Sequence, residues 1–327
     1  MEKCIRKSSN QNAVDYFNNY LGELASSIKD KRTRKRFKDV MTGFILRDDF
    51  SGITSFVRAL QLPGSDYRSF EHFFNSKGYT LESILHVWHD ICLRNSRCVT
   101  VNGRKLVYGD HTLCSKEGTR MADVVTLKQT SETSSKSSCF RGHCWGFNNI
   151  LIWENDRYYC LPLQGTIDQS YDDERLSKDD ESTLSSRIVS SAARIALKNN
   201  VEIYLTLDAF FAVKTPFNIA EQFRKPDGAA PVELIIRAKK NQVGFEDPPK
   251  KREKGKRGPM PKYGKKHPLY GVFNEMPEKF KKGRCRIYGK NEDVKYFSMV
   301  LFWKPTGRKV LFVFADSSRG PIVLMCT

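Results

Sequence analysis

Val201-Glu-Ile-Tyr-Leu-Thr-Leu-Asp208 is a short apolar run closed by an aspartate, and what flanks it decides the fold. Its alternation of Val, Ile and Leu with Glu, Tyr and Thr predicts a strand. Before it, Leu184, Ile188, Ala192, Ile195 and Ala196 recur at helical spacing and predict a helix over 182–199. After it come a helix over 217–224 and a second apolar run, Val232-Glu-Leu-Ile-Ile-Arg237. Strand, helix, strand is the alternation of an α/β sheet.

Upstream, Leu106-Val-Tyr108 predicts another strand, entered through Val99, Val101 and the turn pair Asn102-Gly103, with Asp110 following it. The polar stretch 111–141 reads as a long loop. Runs 145–153 and 157–163 predict a hairpin that turns at Glu154-Asn-Asp156. Further out, residues 13–95 read as helical. Val14, Phe17, Leu21, Leu24 and Ile28 mark the buried face of the first helix, followed by helices over 34–46, 52–60 and 67–75. A fifth, capped by Thr80, buries Ile84, Leu85, Trp88 and Ile91. At the other end, a basic stretch over 244–271 reads as a mobile loop with nine Lys or Arg against three acids. Strands are predicted over 284–288, 294–303, 309–315 and 322–326. The domain expectation is therefore a helical, DNA-binding unit over 1–96, an α/β core over 97–243, and a basic loop with a β-rich insertion over 244–327.

The chain has 55 Lys plus Arg against 37 Asp plus Glu, a formal charge of +18, which favours a polyanionic partner. No apolar run reaches the ~18 residues that a bilayer span needs, and the first residues lack a signal-peptide core. The expectation is a cytoplasmic protein with no membrane partner. The segment 29–38 holds seven basic residues and one acid, and reads either as a phosphate-contacting segment or as a solvated helix face. The nine cysteines show no C-x-x-C pair of zinc-site spacing, although His111, Cys114, Cys139, His143 and Cys144 cluster in sequence. The aromatics fall at core spacings.

Cutting phosphodiester bonds with metal ions needs clustered carboxylates, because hard divalent cations prefer oxygen ligands. Asp110 and Asp208 each follow a strand and would project from one edge of a sheet, where open α/β sheets place their sites. Each alone also reads as turn or cap chemistry, and Asp208 before Ala-Phe-Phe suits an N-cap.

The stretch Val107-Tyr-Gly-Asp-His-Thr-Leu-Cys-Ser-Lys-Glu-Gly-Thr-Arg-Met121, with Ser131-Glu-Thr-Ser-Ser-Lys136 and Gly142-His143, resembles the first catalytic block of a bacterial and archaeal DDE insertion-sequence transposase family, in which Gly-Asp-x-Thr ends the first core strand. Leu205-Thr-Leu-Asp-Ala-Phe-Phe211 resembles the second block, and Arg237-Ala-Lys-Lys-Asn241 the basic motif after the next strand. Tyr67-Arg-Ser-Phe-Glu-His-Phe-Phe-Asn-Ser76 resembles the preceding helical domain. The resemblance spans residues from about 15 to the end and implies a ribonuclease-H-like mixed sheet. It also implies two Mg²⁺ or Mn²⁺ ions on Asp110 and Asp208, phosphate contacts at Lys116, Arg120, Lys239 and Lys240, and double-stranded DNA, both element ends and target, as partner. On this resemblance the chain cuts and joins DNA as a transposase, works as a homo-oligomer on DNA and associates with the nucleoid when bound.

The chain departs from the family at the third carboxylate, a Glu on a helix after the β-rich insertion. Glu292, Asp293 and Asp316 are the substitutes at hand, and all three read as turn residues, so the third ligand stays unassigned. The expectation that follows is a C-terminally truncated transposase, inactive or nearly so by itself. The alternatives are a non-catalytic DNA-binding remnant and a ribonuclease-H-like nuclease without joining activity.

Overall fold

A computed structural model describes residues 2–49, 52–118, 121–128, 138–167, 183–250, 259–287 and 289–327, with residues 2–10 described at the backbone only. The chain divides into two compact units, Met1–Asn95 and Ser96–Thr327.

The first unit is all helical: α1 (Glu2–Ser26), α2 (Lys31–Leu46), α3 (Ile53–Ala59), α4 (Asp66–Phe74) and α5 (Leu81–Leu93). Thr80 caps α5 by accepting from the Ser83 amide at 3.1 Å. Leu21, Leu24, Ile28, Phe37, Phe56, Phe70 and Ile91 form the core. Val14 does not join it and is 52% exposed. The basic run divides in two. Arg34 donates to the Ile28 carbonyl at 2.9 Å, and Arg36 is held by Asp39 and Asp66. Lys31, Arg32, Lys35 and Lys38 are left on the exposed side of α2.

The second unit is a mixed α/β structure built on one sheet. Its elements are β1 (Thr100–Val101), β2 (Arg104–Ser115), β3 (Val125–Lys128), β4 (Cys139–Glu154), β5 (Arg157–Ile167), α6 (Leu184–Lys198), β6 (Ile203–Leu207), α7 (Lys214–Gln222) and β7 (Val232–Arg237). Then come β8 (Val243–Phe245), β9 (Lys266–Pro268), α8 (Val272–Glu275), β10 (Lys281–Ile287), β11 (Lys290–Trp303), β12 (Arg308–Ser317) and β13 (Gly320–Cys326). The β1–β2 and β4–β5 turns each place two residues at positive φ, Asn102 with Gly103 and Asn155 with Asp156, the conformation that two-residue hairpins favour.

Five strands lie in the order β5-β4-β2-β6-β7, with β4 antiparallel to both β5 and β2, and with β2, β6 and β7 parallel. Thr183 opens α6 with a capping box to Ser186. Ile188 of α6 lies behind β2 and β4, 2.7 and 3.3 Å from where Cβ atoms on Gly109 and Gly146 would stand, so one face of the sheet is covered. The sheet does not stop at β7. Its edge is extended through β13, β12, β11, β8 and β9, so the strands of 281–327 belong to the same sheet as those of 97–243.

Three expectations are corrected here. The stretch 111–141 is not one long loop: β2 continues to Ser115, β3 follows, and β4 begins at Cys139, because β2 and β4 pair over nine residues through and beyond Asp110. Glu292 and Asp293 lie in β11 and Asp316 in β12 rather than in turns, since the ladders with β10 and β13 outweigh their turn preference. The segment 244–271 contributes β8 and β9 to the sheet, while 251–258 lies outside the described residues.

The docking of β13 on β7 is checkable by chemistry. Burial, and then the neighbouring Glu233, pushes the Cys326 thiol up to about 11, whereas Cys285 is exposed. Since the thiolate is the nucleophile, the half-buried Cys326 is expected at pH ~8 to alkylate much more slowly than the exposed Cys285. Peptide mass spectrometry after timed iodoacetamide treatment measures both, and equal rates would mean that β13 does not sit on β7.

Candidate functional site

Tyr108 of β2 pairs in register with Thr206 of β6; two residues on, Asp110 continues β2 while Asp208 follows the end of β6, and both act on the His111 ring, which puts them at the same end of these strands. Neighbouring strands are ~4.8 Å apart and cross-strand partners share a face. Both aspartates are exposed, on the face opposite the one that α6 covers. Asp110 Oδ1 accepts from the His111 amide at 2.7 Å and Asp208 Oδ1 from the Phe210 amide at 2.9 Å. Asp208 thus is an N-cap, opening the 3₁₀ turn Ala209–Phe211, and this fixes its orientation without using its second oxygen. Among the described residues neither carboxylate has a salt-bridge partner.

The donor set fits a hard divalent cation in kind, two carboxylates side by side with free oxygens. It is incomplete in number: among the described residues no group of three His, Cys, Asp or Glu could hold a metal ion. Glu292 is engaged by Ser318 and Arg319, and Asp293 by Arg284 at 3.3 Å. Strand spacing puts Asp316 on β12 roughly 15–20 Å from Asp208, and β11 lies one strand further. The sequence cluster around Cys114 is no better placed. His143, its cross-strand partner, has Nε2 at 2.8 Å from the Ala122 carbonyl.

The cations separate. Leu207 pairs with Ile236, which sets Arg237 next to Asp208 in the same row. Lys239 and Lys240 follow at the same end of β7, the first half-buried and the second exposed. Lys116 is exposed but six residues past Asp110, roughly 20 Å along the strand direction. Arg120, like 131–136, lies outside the described residues.

Two residues have supporting roles that the sequence does not disclose, because those roles are tertiary. His111 stacks on Phe211 with ring centres 5.0 Å apart, tying the strand of Asp110 to the turn after Asp208. Burial lowers its pKa, opposed by the Leu184 backbone and by Asp110 and Asp208. Gln242 donates to the Ala212 carbonyl at 2.8 Å and accepts from the Lys239 amide at 3.0 Å, joining the loops after β6 and β7. In the sequence His111 stands out by its place inside the Gly-Asp-x-Thr block and in the His/Cys cluster, and neither points to this stacking role.

Gly109 sets the packing beneath Asp110. A Cβ there would lie 2.6 Å from Leu207 Cδ2 and 2.7 Å from Ile188 Cγ2, inside the covered face. Gly109→Ala is expected to cost about 1–3 kcal/mol by overpacking. Urea unfolding measures it, and an unchanged midpoint would mean that α6 does not press on β2.

No family model matches the chain, and no curated protein matches it. Among solved structures, the NurA nuclease from Sulfolobus solfataricus is similar over 81% of this chain and 81% of its own, with 9% identity and a TM-score of 0.30. At that similarity the two chains share neither a demonstrated fold nor a demonstrated activity.

Proposed function

We propose that this chain carries a metal-dependent DNA-processing site of the DDE-transposase kind, with Asp110 and Asp208 as its first two carboxylates. One observation carries the reading: Asp110 in β2 and Asp208 just past the end of the adjacent parallel strand β6 both lie close enough to His111 to favour its charged form, with no cation paired to either among the described residues. The strand order β5-β4-β2-β6-β7, three antiparallel strands followed through a helix by two strands parallel to β2, supports a ribonuclease-H-like core. The charge of +18 supports DNA as the polyanion.

Mg²⁺ or Mn²⁺ held by the pair would supply Lewis acidity and an activated water. The chain's own residues do the rest. The backbone amides of His111 and Phe210 orient the carboxylates. Arg237, Lys239 and Lys240 meet phosphates at the strand ends beside Asp208, and the exposed basic side of α2 adds sequence-independent affinity. Cutting and joining element ends to a target, rather than cutting alone, is the part that rests on the sequence resemblance.

Calorimetric titration of Mn²⁺ into the chain, its Asp110→Asn form and its Asp208→Asn form tests the site. A titration curve that both variants leave unchanged would sink the reading.

A further inference from the structure

The sheet face that carries Asp110 and Asp208 extends well past them. Back along β2, Tyr108 lies on the same face, 38% exposed. Tyr108 pairs with Asn149 of β4, and its phenol pKa is raised by burial and then by Cys160 and Tyr158 of β5. Tyr158, 57% exposed, is the cross-strand partner of Trp153, their ring centres 4.4 Å apart. The aromatics fall at core spacings, but Tyr108 and Tyr158 are exposed on this face.

Over Trp153 sits the Arg286 guanidinium, 5.1 Å from the ring centre. Lys282, Arg284 and Arg286 alternate along β10 and share one face, with Lys295 of β11 opposite Lys282. This row borders a groove of about 720 Å³ lined by Lys282, Arg284 and Lys295 together with Asp293 and Asp316. Across 281–295 there are six Lys or Arg against two acids, so the arm stays basic after Arg284 is paired with Asp293.

We infer that this row of cations and the rings beyond it form one track for single-stranded DNA, with phosphates on Lys282, Arg284 and Lys295 and an unpaired base on Tyr158, whose ring Trp153 backs. A duplex keeps its bases stacked and offers phosphate alone, so a basic arm by itself would take either form. An exposed ring such as that of Tyr158 gains something only from a base that has left the stack. The choice of DNA over RNA rests on the reading of the carboxylate site; the single-strand preference does not.

The test is fluorescence anisotropy in EDTA, with the full chain carrying Asp110→Asn, on labelled oligo(dT), oligo(U) and a dA·dT duplex of the same length. Tyr158→Ala and Trp153→Ala are each expected to weaken oligo(dT) binding by roughly 5- to 100-fold and to leave duplex binding within about twofold. Tyr158→Phe keeps the ring and the affinity. Lys282→Glu with Arg284→Glu weakens both forms. Tyr158 is exposed enough for its alanine variant to fold, and circular dichroism checks the half-buried Trp153. Equal losses on duplex and single strand, no loss with Tyr158→Ala, or tighter binding of oligo(U) than oligo(dT) each overturns the inference. Because no metal is present, failure of the metal site leaves this signal standing, and the two failures can be told apart.

Discussion

Asp110→Asn in the 327-residue chain is expected to weaken Mn²⁺ binding by about 100-fold or more, and Asp208→Asn to do the same. Loss of an outer-shell partner of a metal ligand already costs about 10–100-fold, and each of these variants removes one of the two carboxylates that neighbour each other among the described residues. The amide is chosen because it separates function from fold. Asn caps the 3₁₀ turn at 208 as well as Asp does, and at 110 its oxygen can still accept from the His111 amide. Neither variant should therefore lower the melting temperature in EDTA. Each relieves the repulsion between two like charges one strand apart, so a small rise is expected. Added Mn²⁺ should raise the melting temperature of the unaltered chain and leave both variants where they were. A fall in EDTA would assign the two aspartates to structure rather than to metal. Any Mn²⁺-dependent nicking of supercoiled DNA by the unaltered chain should drop by at least the same ~100-fold factor.

The elements around this site are legible in the sequence where local rules act alone. β6, β7, α6 and the β4–β5 hairpin are periodic segments closed by cap or turn residues, and Thr183, Asn155 and Asp156 do in the structure what their chemistry suggests. Legibility ends where tertiary pairing decides. Asp110, His111 and Thr112 break the apolar alternation of β2, yet β4 holds them in the ladder. Glu292 and Asp293 carry turn composition but sit opposite Cys285 and Arg284 in a hairpin arm. The register that brings Asp110 beside Asp208 joins residues almost a hundred positions apart, and no periodicity encodes it. Arg237 illustrates the same point. Sequence places it in a basic motif, and only the β6–β7 register sets it next to Asp208.

The second large effect concerns the strand beneath the site. Leu205 is fully buried between Val107 of β2 and Leu234 of β7, its register partners, both also fully buried. It faces the α6 side, with Leu207, while Tyr204, Thr206 and Asp208 face the other way. Leu205→Ala removes buried methyl groups from a place where three strands and a helix limit collapse. The expected cost is roughly 2–5 kcal/mol, and for a unit of this size that is on the order of 5–20 °C in melting temperature. Leu311→Ala, at a β12 position 37% exposed, is the control and should cost far less. The consequence for the site is different in kind. β6 is held on both sides by backbone ladders, so Asp208 keeps its place beside Asp110 as long as the sheet is folded. Well below its melting temperature, Leu205→Ala should therefore bind Mn²⁺ within a few-fold of the unaltered chain, where Asp208→Asn does not. Loss of metal binding in a folded Leu205→Ala chain would show that core packing, and not the strand register, sets the distance between the two carboxylates.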